Sequence, residues 1–136
     1  MKKFRLQFKS ADEVEAVFYE AFVRCDAEVM AGVWADGGVV CVHPGSSALV
    51  DHDAVVRSWA SIFSHADRAD LEYSVVRRTV VDDLAVHVVT EELGGPGTAS
   101  AQVLATNVYR RFEHGWLMIE HHGSVVQKPA QARTLQ

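Results

Sequence analysis

The stretch from Ala99 to Val126 constrains this chain most. Two long β-rich runs, Ala99–Phe112 and Trp116–Val126, are broken only by Glu113-His114-Gly115. A short polar break ending in glycine between such runs predicts a hairpin. Strand side chains alternate between faces, so the adjacent His121 and His122 point to opposite sides and only one can serve a given pocket. With His114-Gly115 as a two-residue turn, Glu113 opposes Trp116 and Asn107 opposes His122, on the face that carries Tyr109, Met118 and Glu120. A four-residue loop keeps that face, and a three-residue loop with a bulge flips it.

The remaining sequence must supply what this hairpin packs against. A chain of 136 residues has room for one domain and one core. A net charge of −5 excludes a nucleic-acid surface, which needs clustered Lys and Arg; the only local basic excess is Lys2-Lys3-Phe4-Arg5. No apolar run approaches the roughly 20 residues of a bilayer span, and no apolar segment follows the basic start, so no membrane partner and a cytoplasmic location are expected. Cys25 and Cys41 fit no CxxC spacing and read as buried small hydrophobes.

Phe4, Leu6 and Phe8 alternate with polar residues, so residues 1–9 form an N-terminal arm or short edge strand. Ser10 with Glu13 makes a capping-box pattern for a helix whose apolar stripe is Val14, Phe18, Ala21, Phe22 and Cys25. Asp26 starts a second helix carrying Val29, Met30, Val33 and Trp34, which the Gly37-Gly38 pair is expected to end. Val39–His43 is a β-branched run closed by Pro44-Gly45, a strand with His43 at its last position. Asp51 or Asp53 caps a third helix, Ala54–His65, with Val55, Trp59, Ile62 and Phe63 on its apolar side. Strands follow at Leu71–Val81 and Leu84–Leu93, turned by Asp82-Asp83. Gly94-Gly95-Pro96-Gly97 is a loop without the spacing of a phosphate cradle. Lys128–Gln136 is a polar tail, leaving 10–127 as the folded domain. Helices first and strands afterwards predict α+β, three N-terminal helices packed on a strongly curved antiparallel sheet, with Val39–His43 as a candidate fifth strand.

Several strings resemble the SnoaL-like branch of the nuclear transport factor 2-like superfamily. They are Phe18–Phe22, Met30–Trp34, Val40–Gly45, Asp53–Trp59, Ala105–Arg111 and Trp116–His122, spread over roughly Ser10 to Val126. The resemblance implies helices partly wrapped by a bent sheet, a pocket at the open end of the cone, and a homodimer formed through the sheets. Asp51-His52 departs from the glycine-containing loop that relatives often carry before the third helix.

Function has to come from residues, because the superfamily that the chain resembles is expected to include isomerases, dehydratases, cyclases and epoxide hydrolases beside non-catalytic binding and assembly domains. A proton-transfer site needs a base near neutral pKa and a donor where negative charge develops. His43 and His122 are the candidate bases, with Glu120 and Asp51 behind them, and Tyr19, Asn107 and the Trp59 indole are candidate donors. Trp34, Trp59 and Glu120 complete the expected pocket wall. The matched carboxylates flanking an arginine that an epoxide hydrolase would need are not recognisable. His52, His65, His87 and His114 read as surface residues. Seven histidines invite a metal, yet no HxxxH pair exists and His121 and His122 diverge, so no metal and no cofactor are expected. Two classes stay open. One is a cofactor-independent proton-transfer enzyme acting on a small organic ligand such as a cyclic or aromatic acid or ketone; the other is a non-catalytic ligand-binding or dimerisation module.

Overall fold

The computed structural model describes residues 6–94 and 100–127. The start of the arm, Gly95 to Ala99 and the polar tail lie outside those residues. In chain order the elements are α1 (Ala11–Arg24), α2 (Ala27–Val33), β1 (Val40–Val42), α3 (His52–Phe63), β2 (Leu71–Val81), β3 (Leu84–Leu93), β4 (Ala101–Phe112) and β5 (Gly115–Val125). The strands form one curled sheet in the order β1-β5-β4-β3-β2. The long strands are antiparallel neighbours, and β1 is the fifth strand, added in parallel to β5.

Local chemistry explains most boundaries. Ser10 Oγ accepts from the Glu13 amide at 3.1 Å, which satisfies one of the unpaired N–H groups at the start of α1. Glu13 reaches back to the Lys9 amide at 2.8 Å. Asp26 and Asp51 cap α2 and α3 in the same way, through the amides of Val29 and Ala54. α3 therefore begins at His52, two residues before the expected start. α2 stops at Val33, well short of Gly37-Gly38, because Trp34 is extended and bridges Met118 while the Ala35 amide donates to the Met118 carbonyl at 3.0 Å. Sheet pairing captures the chain before the glycines can end it. Leu6 to Phe8 form no strand, but the Phe8 carbonyl accepts from the Trp116 amide. At Gly115, φ +127°, an added Cβ would lie 2.6 Å from the Phe8 carbonyl oxygen, so only glycine admits the arm there.

The helices lie against the inner face of the sheet. Val14, Phe18 and Ala21 of α1 and Val55, Trp59 and Phe63 of α3 are buried there with Ala85, Val89, Ala105, Tyr109 and Met118 of the strands. Each fully buried large side chain contributes roughly 1.5–3 kcal/mol, and Phe18, Phe22, Trp59 and Phe63 make a run of edge-on and tilted ring contacts.

Two bulges decide which polar residues enter this interior. The hairpin turns at Glu113-His114, so Phe112 pairs with Gly115 and Tyr109 with Met118. Beyond that point β5 carries one extra residue, Ile119, and Val108 pairs with Glu120. One extra residue exchanges the faces of everything that follows. Asn107 therefore opposes His121, which is buried, and the expected pairing with His122 does not form; His122 lies on the outer face and is exposed. Glu120 is half-buried and opposes Val108, so it too leaves the face of Asn107 and Tyr109. A second bulge in β2, between Val75 and Arg77, sets Arg78 opposite His87.

Candidate active site

Two polar rungs join α1 to β3. Glu15 and Tyr19 stand one turn apart on α1, and His87 and Glu91 are four residues apart on β3, so each pair shares a face. Glu15 accepts from His87 Nδ1 at 2.6 Å, and the Tyr19 hydroxyl donates to Glu91 Oε2 at 2.6 Å. All four side chains are at most 2% exposed. His87 is therefore a buried hydrogen-bond partner of Glu15 and not the surface residue expected, because alternation on β3 turns it inward with Val89 and Glu91.

The second rung continues across the sheet. Asn107 Nδ2 donates to the Tyr19 oxygen at 2.9 Å, and His121 Nδ1 lies 2.6 Å from Asn107 Oδ1. An amide oxygen only accepts, so His121 carries its proton on Nδ1 and leaves a lone pair on Nε2. Burial pushes the His121 pKa down to about 3, with the neighbouring His43 and His122 adding to the effect, so the ring is neutral at physiological pH. Burial raises the pKa of Glu91, opposed by the hydrogen bond from Tyr19.

His43 packs beside the same rings. It follows β1 directly and is half-buried. Its Nε2 lies 2.8 Å from Ser58 Oγ, whose own proton goes to the Val55 carbonyl. Ser58 therefore accepts, His43 donates from Nε2, and Nδ1 keeps the free lone pair. Burial lowers the His43 pKa, so this ring too is neutral near pH 7. The His43 and His121 rings lie 6.5 Å apart, and Trp59 contacts both, at 4.8 and 5.7 Å between centroids. Phe18 closes on His121 at 5.3 Å.

Of the residues singled out by sequence, His43, Tyr19, Trp59 and Asn107 come together here. Trp34 is buried in the core, with its ring nitrogen unpartnered among the described residues. His122 and Glu120 are on the other face of the sheet. Sequence reasoning missed Glu91, whose signal was alternation with Val89 and His87 along β3, and His121, whose place depends on the bulge. The Tyr109 hydroxyl is buried nearby and makes no hydrogen bond among the described residues. From outside, a groove of about 720 Å³ between α1 and β2 reaches Tyr19, which stacks on the part-exposed Tyr73 at 4.1 Å. Burial pushes the Cys41 thiol up to about 12, which removes it as a nucleophile. No cluster of three metal-ligating side chains occurs among the described residues.

A curled sheet around N-terminal helices, with polar groups sealed inside, defines a nuclear transport factor 2-like α+β cone with a cystatin-like fold. The chain belongs to the SnoaL-like domain family, whose pattern matches residues 12–128. It is similar to a Thiobacillus denitrificans protein described provisionally as a calcium/calmodulin-dependent protein kinase type II association domain, at 36% identity and TM-score 0.84, covering 90% of this chain and 100% of that one. It is also similar to a protein of the nuclear transport factor 2-like family from Streptomyces avermitilis described provisionally as a dehydratase, at 32% identity and TM-score 0.74, covering 85% and 93%. The Arabidopsis thaliana F-box protein SKIP8 is 28% identical over 103 residues, 73% of this chain, and the match spans 42% of that longer protein.

Proposed function

We propose that this chain is a small-molecule-binding SnoaL-like domain that moves a proton on its ligand without a cofactor, with His43 as the exchanging base and His121 Nε2 as a fixed acceptor. One observation carries the reading: two imidazoles, both neutral by burial and each with its tautomer set by a hydrogen bond, pack against Trp59 in the aromatic interior. A neutral imidazole with a free lone pair is the form that accepts a proton at pH 7. The aromatic surroundings of the two imidazoles favour a cyclic or aromatic acid or ketone, and the Streptomyces relative is described provisionally as a dehydratase. The test is deuterium exchange beside the carbonyl of cyclic ketones in heavy water, followed by NMR. Exchange catalysed by the wild type and lost in His43→Ala supports the reading; exchange unchanged in a folded His43→Ala removes it.

A second reading has its own support. The association-domain description of the Thiobacillus relative concerns assembly, and Leu84, Val86 and Leu104 are exposed on the outer sheet face. Those three strand positions pair in register with other outward residues, so a homodimer joined through the sheets covers them. Leu104→Lys is expected to shift the wild-type dimer to monomer in light scattering. A wild-type monomer at micromolar concentration removes the sheet interface.

A further inference from the structure

The hydrogen bonds of the second rung all point one way. His121 Nδ1–H donates to Asn107 Oδ1, Asn107 Nδ2–H to the Tyr19 oxygen, and Tyr19 O–H to Glu91. Tyrosine has a single proton, and it goes to the carboxylate. Its oxygen then faces Asn107 as an acceptor, which selects the amide orientation that turns Oδ1 to the imidazole. We infer that Glu91 is a positioning residue: acting through Tyr19 and Asn107, it fixes which ring nitrogen of His121 carries the proton.

The opposite polarity needs one change. A protonated Glu91 donates to the Tyr19 oxygen, Tyr19 donates to a flipped Asn107, and the Asn107 amide donates to His121 Nδ1. The imidazole proton then resides on Nε2, and the lone pair that the proposed chemistry uses is gone. One proton is gained at Glu91, and His121 keeps a single proton throughout. The groups facing Glu91 leave it to make this choice. Tyr19 comes from α1; its strand partners are Tyr73 on β2 and the apolar Val103 on β4. None of these three brings a formal charge, and Arg78 is engaged with Glu15 and Asp12 on the other rung. The raised pKa of Glu91 brings its protonation above that of His121, so the tautomer reverses before the ring itself charges.

The catalytic use of that nitrogen rests on the proposed function, but the tautomer does not, and NMR of the nitrogen-15-labelled full chain reads it without turnover. In the wild type at pH 7 the expected spectrum of His121 has a protonated Nδ1 and an unprotonated Nε2. Tyr19→Phe and Glu91→Leu, each checked for fold by amide dispersion and melting, are expected to lose the exclusive Nδ1 proton and to populate the Nε2 tautomer. Acid titration of the wild type is expected to exchange the two nitrogen shifts before the imidazolium signature appears, and Tyr19→Phe to abolish that exchange. A His121 that keeps its proton on Nδ1 in folded Tyr19→Phe, or through the acid titration of the wild type, overturns the inference. Correct tautomers with no ketone exchange would instead sink the proposed reaction alone.

Discussion

The two rungs between α1 and β3 use the same backbone elements and both withdraw a carboxylate from solvent, yet the two pKa values move in opposite directions. Glu15 sits at 1% exposure and Glu91 at 2%. Burial acts to raise the pKa of both. At Glu15 it is overcome, and the pKa ends below the ordinary value, because His87 and Arg78 supply hydrogen bonds and positive charge. At Glu91 the opposing group among the described residues is a neutral phenol, and the pKa ends raised. Near-complete loss of exposure does not by itself fix the direction of a carboxylate's pKa; charged partners can reverse it. The first rung is thereby a structural clamp reaching solvent through Arg78 and Asp12, and the second is a sealed, directional chain.

Removing each carboxylate in turn is the strongest way to break this comparison. Glu15→Leu strands buried His87 and part-exposed Arg78, and is expected to cost about 3 kcal/mol in urea unfolding. Glu91→Leu is expected to cost about 1 kcal/mol, because Tyr19 can turn its proton to Asn107. Equal losses would erase the distinction between clamp and chain.

The next effect is on acid stability. His121 is depressed in the folded state, so between about 3 and 6.5 the unfolded chain binds the extra proton and stability falls as pH falls. His43 and Glu15, both lowered, act in the same direction, whereas the raised Glu91 opposes them. His121 alone is worth roughly 2 kcal/mol between pH 7 and pH 5. Urea unfolding of His121→Phe across that range should show a flatter slope than the wild type; an identical slope would mean that the imidazole is not held neutral.

The smallest expected effect separates the adjacent histidines. His122→Ala, on the exposed face, should leave stability within about 0.5 kcal/mol and ketone exchange unchanged. His121→Ala should lose exchange. A His122 variant that fails while the His121 variant works would reverse the assignment of inside and outside.

Legibility followed the range of the interactions. The Ser10 and Asp26 caps, the α1 and α3 stripes, and the β2–β3 turn at Asp82-Asp83 are local, and they were readable within a few residues. That Asn107 shares a face with Tyr109 was readable as well, through the period of two, but not that this face is the inner one. The partner of Asn107 was not readable, because Ile119 breaks the period at a place no residue type announces. Glu91 and His87 looked like ordinary polar strand residues until α1 supplied Tyr19 and Glu15 from 72 positions away.

By itself, then, the amino-acid order determined an α+β chain of three helices and a long meander, since periodicity and caps act over one or two turns. Tertiary structure alone decided which histidine faces inward, which way the pKa of each buried carboxylate moves, and which way the protons point. Those outcomes depend on one extra residue in β5 and on the helix that crosses β3, and neither leaves a mark in neighbouring sequence.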